Sequence, residues 1–459
     1  MRVGLMTREY PPYVYGGAGV HVEYLSRELA KAIEVEVHAW GANPDPDTVQ
    51  PVPEECGHKD LKLDVHFEQP WDAISSGTDA KFKGALEALS LNLLQNLHLD
   101  KLDVIHTHTW YVAMAGFLAK KLYGIPFVLT THSLEPLRAW KAEQLGSGYA
   151  LSSWMERTAI LDADAIVAVS NGTKADILKA YPDVDAERIH VIYNGIDLLQ
   201  YQYTLRQDAL LKYGVDPQKP YVLFVGRITR QKGVTHLVDA IPHLPPGTQV
   251  VLCAGAPDTP EIAKEMRDKV EAVRKQTIGS MKALVSVESD GVNNPPGHAE
   301  ATGDPTGTGH NIVWIEQMVS KDEAIQLYSH CAVFCCPSVY EPFGIINLEA
   351  MACRAPVVAS ATGGILEVVV DESAAGPGEH ATGYLVPFEA DAVTTFPSDA
   401  EKFSRDLATR LTELLEDPEK ARRMGEAGRK RVEEMFSWES IAAQTIRLYE
   451  SLVTRKTAL

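Results

Sequence analysis

Two carboxylates stand at either end of one short run. In "SVYEPFGIINLEAMA", residues 338–352, Glu341 lies in a turn-forming Glu-Pro-Phe-Gly and Glu349 inside an apolar, helix-like segment. Pro342 fixes the turn, and the apolar spacing of "GIINLEAMACR" suits a buried helix. A helix starting near Phe343 or Gly344, with Ile345 in its first turn, offers its free amides to an anion. At ~1.5 Å per residue the two carboxylates stand at most roughly 12 Å apart. A glycosidase pair sits closer, about 5–9.5 Å. The longer span suits gripping both ends of a sugar nucleotide: hexose at Glu341, phosphates at the amides, ribose diol at Glu349.

A second motif, "FVGRITRQKGV", places Arg227 and Lys232 just past the carboxyl end of a strand, where open α/β sheets take their ligands. Arg as a planar fork and Lys as a mobile point charge suit a diphosphate. In "TREYPPYVYGGAGVHVEYLSRELAK" a strand ends at Thr7, and Gly16, Gly17 and Gly19 lead into an amphipathic helix. Glycines allow close backbone approach, and the amides of a helix start favour an anion. The dinucleotide fingerprint is incomplete, because Val22 occupies the third glycine position and no acid ends the next strand, "EVEVHAW". A nicotinamide site is therefore not expected.

Weaker constellations follow. Glu135, Arg138, Trp140, Lys141 and Tyr149 lie just after His132; they read equally as a surface helix of mixed charge or as a binding segment, with aromatics to stack on sugar faces and cations to hold a phosphate. His106 and His108 in "HTHTW" read as packing or site lining, since no further metal ligands accompany them. The Asp-Ala-Asp at residues 162–164 reads as structural, because it lies where a helix runs into a strand.

These residues need elements to position them. Short β-branched runs alternate with amphipathic helices almost throughout, which predicts parallel sheets with helices on both faces. One series runs through "RVGLMT", "EVEVHAW", "DVIHTH", "FVLTTH", "AIVAVS" and "HVIYNG". A second runs through "YVLFVG", "QVVLCAG", "IVWIEQ", "VFCCPS" and "PVVAS". The polar stretch between them, with Gly195 and Gly214, puts the boundary near residue 205. The expected domains are residues 1–205 with 437–459, and residues 206–436. Residues 279–311, rich in Gly, Pro, Asn and Thr, read as an inserted surface loop with too few apolar groups to order itself.

A chain of 459 residues exceeds one ordinary core. Its net charge of −19 argues against nonspecific binding to nucleic acid or anionic lipid, so an anionic ligand must be held by a few placed cations and amides. No apolar run reaches membrane-spanning length, and the N-terminus reads as a first strand. The six cysteines lack secreted-domain spacing, which points to buried thiols in a reducing cytoplasm. Nothing in the residues fixes the oligomeric state.

Together "EPFGIINLEA", "VGRITRQKG", "YNGID" and "YGGAGVH" resemble the retaining glycosyltransferases of family 4, with the GT-B fold. "MTREYPP", "HTHTWY", "THSLEPLRAWKAEQLG" and "VYEPFGIINLEAMA" are similar to the bacterial glycogen synthase group that includes maltose-1-phosphate synthases. The resemblance covers nearly the whole chain apart from residues 279–311. It implies two facing Rossmann-like domains, with a terminal helix crossing back to the first and the nucleotide held mainly by the second. It also implies α-1,4-glucosyl transfer from ADP-glucose with retention, to a glucan end or to glucose 1-phosphate. Arg227 and Lys232 would neutralise the leaving diphosphate in place of a metal, so neither metal nor other cofactor is expected. Glu341 would orient the glucose, Glu349 the ribose, and His132 would face the glucose from the first domain. Gly17 and Gly19 would line the phosphates, and Arg138, Trp140 and Lys141 the acceptor. Competing readings are a related transferase making a disaccharide or mannoside, a sugar-nucleotide epimerase, and a noncatalytic sensor.

Overall fold

The computed structural model describes residues 1–14, 16–43, 62–77, 79–97, 99, 101–137, 148–288, 310–376, 380–391 and 394–457. The chain forms two compact units, Met1–Asp197 with Phe436–Leu459, and Leu198–Met435.

The first unit holds a parallel sheet of seven strands in the order β3-β2-β1-β4-β5-β6-β7. These are β1 (Arg2–Met6), β2 (Glu34–Trp40), β3 (Leu63–Glu68), β4 (Val104–His108), β5 (Phe127–Thr131), β6 (Ala165–Ala168) and β7 (Ile189–Val191). Strands β4, β5 and β6 are buried along their whole length because helices cover both of their faces. One face packs Val3, Leu5, Val35 and Val37 against Val22, Leu25 and Leu29 of the helix Gly17–Ala30. Trp438, Ile441, Tyr449 and Leu452 of the terminal helix Trp438–Thr457 complete that core. The other face packs Met6, Ile105, Phe127 and Ile166 against Val112, Ala119 and Ile160.

The second unit repeats the plan with six strands in the order β10-β9-β8-β11-β12-β13. They are β8 (Tyr221–Arg227), β9 (Gln249–Gly255), β10 (Asn311–Ile315), β11 (Val333–Cys336), β12 (Val357–Ser360) and β13 (Gly383–Val386). Val222, Phe224, Val250 and Leu252 form its core with Leu237, Met266, Leu407 and Leu411. Helix signals act locally: Ser320 and Glu323 form a reciprocal capping box at Lys321–His330. In both units the strand order reverses beside the first strand, between β1 and β4 and between β8 and β11. Open α/β sheets gather their ligands at such a point.

One expectation is corrected. The helix Pro260–Glu288 contains residues 279–288, which read as loop because Gly279 and Ser280 masked an amphipathic repeat. Residues 289–309 lie outside the described residues, and Asn311 already begins β10. Cys253, Cys335, Cys336 and Cys353 are buried free thiols, and Cys331 is a half-buried one.

Candidate active site

In the second unit, the apolar run of β8 ends at Arg227, whose guanidinium donates to Asp258 Oδ1 at 2.8 Å. The chain then turns tightly, with the Lys232 amide donating to the Thr229 carbonyl and hydroxyl. Gly233, at φ 61°, closes this turn and starts the helix Val234–Ala240. A Cβ there would collide with the Pro337 carbonyl oxygen, so glycine lets the loop after β8 lie directly on the loop after β11. The Val339 amide donates to the Gln231 carbonyl at 2.9 Å and joins the two loops. This brings Lys232 Nζ to 2.5 Å from Glu341 Oε2, which also accepts from the Ser338 hydroxyl at 3.3 Å. Glu341 is buried (7% exposed), and in that reduced dielectric the ion pair holds both side chains in place.

Glu341 is also held through its backbone. Its carbonyl accepts from the Gly364 amide at 2.9 Å. Gly363, at φ 52°, and Gly364 press so closely on residues 341–343 that a Cβ on either would overlap backbone atoms. After Pro342 and Phe343, Gly344 at φ 94° caps the helix Ile345–Ala352. No acid occupies the first turn of that helix, so its amide end favours an anion. Asn347 in this turn is fully buried, and neither polar atom of its side chain has a hydrogen-bond partner among the described residues. Farther along, Glu349 is half-buried and accepts from Tyr201 at 3.1 Å and Tyr328 at 3.0 Å. Burial raises its carboxyl above the ordinary range, and the two phenol hydrogen bonds oppose that rise.

In the first unit, Gly17 begins the helix Gly17–Ala30 and Gly19 lies in its first turn. Glu9 Oε2 accepts from the Gly16 amide at 2.6 Å, and a Cβ on Gly19 would strike the Glu9 side chain. Glu9 thus engages the Gly16 amide at the cap of this helix. At the carboxyl ends of β4 and β5, His108 Nδ1 lies 3.1 Å from His132 Nε2. The His21 ring stands edge-on to His132 with centroids 4.8 Å apart. His106 is fully engaged, with Nδ1 2.6 Å from the Tyr449 hydroxyl and Nε2 2.6 Å from Thr130 Oγ1. Burial lowers all four imidazoles, His21 to about 4 and His106 to about 3, with His108 and His132 well below the ordinary value. His132 is therefore neutral near pH 7, with one nitrogen to donate and one to accept.

The structure thus joins Lys232 to Glu341, sets Phe343, Gly344 and Ile345 at a helix start, and gives Arg227 an acidic partner. Arg138, Trp140 and Lys141 lie outside the described residues. Of their neighbours, Glu135 is buried and accepts from Ser152 at 2.7 Å, while Tyr149 donates to the Glu135 carbonyl. Both are thus engaged within the first unit. Asp162 pairs with Lys121 and Asp164 with Lys120, a structural arrangement for that Asp-Ala-Asp. Sequence reasoning missed Gly363, Gly364 and Asn347. The paired glycine in "ASATGGIL", directly after an apolar strand, was the available signal.

Residues 15–199 match the model of Glycosyltransferase Family 4, and residues 304–431 that of Glycosyl transferases group 1. The chain is 43% identical to an alpha-maltose-1-phosphate synthase of Mycolicibacterium smegmatis, over 98% of this chain and all of that one. It is 27% identical to a glycogen synthase of Mycobacterium tuberculosis, over 98% of this chain and 94% of the relative. In fold it is similar to sucrose-phosphate synthase from Thermosynechococcus elongatus, with a TM-score of 0.71 at 24% identity over 99% of each chain. Two Rossmann-like units, the second strand order repeating the first, and a near-full-length relative at this identity lead to one assignment: the chain belongs to the family 4 glycosyltransferases of GT-B fold, in the group of the maltose-1-phosphate and glycogen synthases.

Proposed function

We propose that this glycosyltransferase moves glucose from ADP-glucose to glucose 1-phosphate in the cytoplasm, retaining the anomeric configuration and releasing maltose 1-phosphate and ADP. The observation that carries the reading is the 43% identity, across essentially both whole chains, to an enzyme named for that product.

In this reading the second unit grips the donor. Glu341, held by Lys232 and by the Gly364 amide, receives the glucose hydroxyls. The amides at Gly344 and Ile345, with Arg227 and Lys232, receive the diphosphate, and Glu349 receives the ribose. Gly17 and Gly19 are assigned to the phosphates, and neutral His132 to the sugar being transferred. Arg138 and Lys141 are assigned to the acceptor phosphate, and Trp140 to the face of the acceptor sugar. The bond from the anomeric carbon to the phosphate oxygen breaks, and a bond to the acceptor 4-oxygen forms on the same face. The acceptor's proton passes to the departing phosphate oxygen, so no enzyme nucleophile is needed. Stabilisation of the developing diphosphate charge is the protein's main contribution, and two placed cations supply it without a metal or other cofactor.

The test supplies ADP-, UDP- and GDP-sugars, each with glycogen or with glucose 1-phosphate, and identifies products by NMR and mass spectrometry. The expected product is α-1,4-linked maltose 1-phosphate from ADP-glucose. Transfer to glycogen alone would assign the chain as a glucan synthase, and product from a mannose or uridine donor alone would overturn the donor assignment.

A further inference from the structure

Away from these residues, strands β2 and β3 carry an unexplained polar cluster. On β2, Val35, Val37 and Ala39 enter the core on one face, as alternation requires. The opposite face carries Glu36 and His38, each only 6% exposed. Buried acids and imidazoles are costly unless their polar atoms are satisfied. His38 Nδ1 meets that demand, donating to Glu68 Oε1 at 2.8 Å. That hydrogen bond fixes the tautomer and leaves Nε2 as a lone-pair donor. Nε2 is buried with no hydrogen-bond partner among the described residues, and it lies 3.8 Å from Glu36 Oε2, beyond hydrogen-bond range. The parallel register pairs His38 with His66 on the same sheet face, their rings stacked at 5.0 Å. Arg2 holds the other oxygen of Glu36. Single ligand atoms from Glu36, His38 and His66 lie within 4.8 Å of one another.

We propose that Glu36, His38 and His66 bind a divalent transition metal of the zinc type. Two imidazole nitrogens and one carboxylate oxygen form a known zinc ligand set. Tetrahedral ligands around zinc stand about 3.4 Å apart, close to the Glu36–His38 separation already present. His66, on the exposed rim, needs only a side-chain adjustment, and a water completes the fourth position. Glu68 then serves as the carboxylate that orients a metal-bound histidine through its other ring nitrogen. β3 is the edge strand and β2 is its neighbour in the sheet, so the metal clamps an edge strand that otherwise depends on one backbone ladder.

The test uses the full-length enzyme, stripped with chelator and titrated with Zn²⁺ alone, reading stoichiometry by mass spectrometry of bound metal and affinity by calorimetry. Co²⁺ absorption serves as a second readout. The wild type should take one equivalent and gain thermal stability. His66→Ala should weaken binding at least about 100-fold and abolish the thermal gain, and Glu68→Gln should weaken binding about tenfold or more. Transfer activity should stay unchanged in His66→Ala, which separates failure here from failure of the functional reading. Absence of bound metal in the wild type, or equal binding by wild type and His66→Ala, would overturn the proposal.

Discussion

Lys232 Nζ sits 2.5 Å from Glu341 Oε2, an ion pair that ties the loop after β8 to the loop after β11. One cation is thereby shared between an acid proposed for the sugar and the phosphates proposed beside it. Replacing Lys232 by Ala removes the positive charge and strands a buried carboxylate. The kcat should fall by about 10²-fold or more, on the scale of lost oxyanion-type donors. Steady-state rates on a variant that still melts cooperatively check this, and an unchanged kcat would remove Lys232 from the chemistry.

Glu349 is gripped by two phenols and lies inside the helix behind Glu341. Glu349→Gln keeps the shape and loses the charged acceptor. The expected result is a KM for the nucleotide sugar raised about tenfold, equivalent to ~1.4 kcal/mol, with kcat changed far less. Donor titrations at saturating acceptor separate the two constants.

Gly363 holds a left-handed backbone against the Glu341 carbonyl. Gly363→Ala should cost more than about 1 kcal/mol, lowering the melting temperature of a unit this size by roughly 2–4 °C. It should also displace Glu341, so activity should fall further than stability alone requires. Calorimetry and kinetics on the same sample test both halves.

Acid should unfold the first unit through its histidines. His21 and His106 stay neutral in the fold because burial lowers them to about 4 and about 3. In the unfolded chain they take up protons near the ordinary 6.5. Their contribution is therefore complete above about pH 6.5, and is lost as pH falls from there toward about 4 and then about 3. Each costs up to about 1.4 kcal/mol per pH unit inside its window. Denaturant midpoints measured from pH 7.5 to 4.5 should show this slope. His106→Gln should reduce the slope, since His21, His108 and His132 still titrate, and a pH-independent midpoint would contradict it.

The alternation of strand and helix, the two-unit plan and the helix at Ile345 were legible because buried parallel strands leave plain apolar runs. β3 was not, since "LDVHFE" carries an acid, a histidine and a glutamate on an exposed edge. β13 is only four residues long. Lys232 and Glu341 were individually visible as motif members, but their ion pair depends on loops more than a hundred residues apart in sequence. The clamp by Gly363 and Gly364 was hidden for the same reason, since a glycine's neighbours are absent from its own segment. His106 reads as packing or site lining in "HTHTW", but its partner Tyr449, near the other end of the chain, is invisible from that segment.

That last contact has a consequence for synthesis. His106 and its partner Tyr449 belong to one core, yet the ribosome must make all of Leu198–Met435 between that sheet and the helix that seals it. At 5–20 residues per second this takes on the order of 10–50 s. Throughout that interval the sheet, all of its strands already made, keeps the apolar groove for Ile441, Tyr449 and Leu452 open, a window in which a chaperone or a neighbouring polypeptide competes for it.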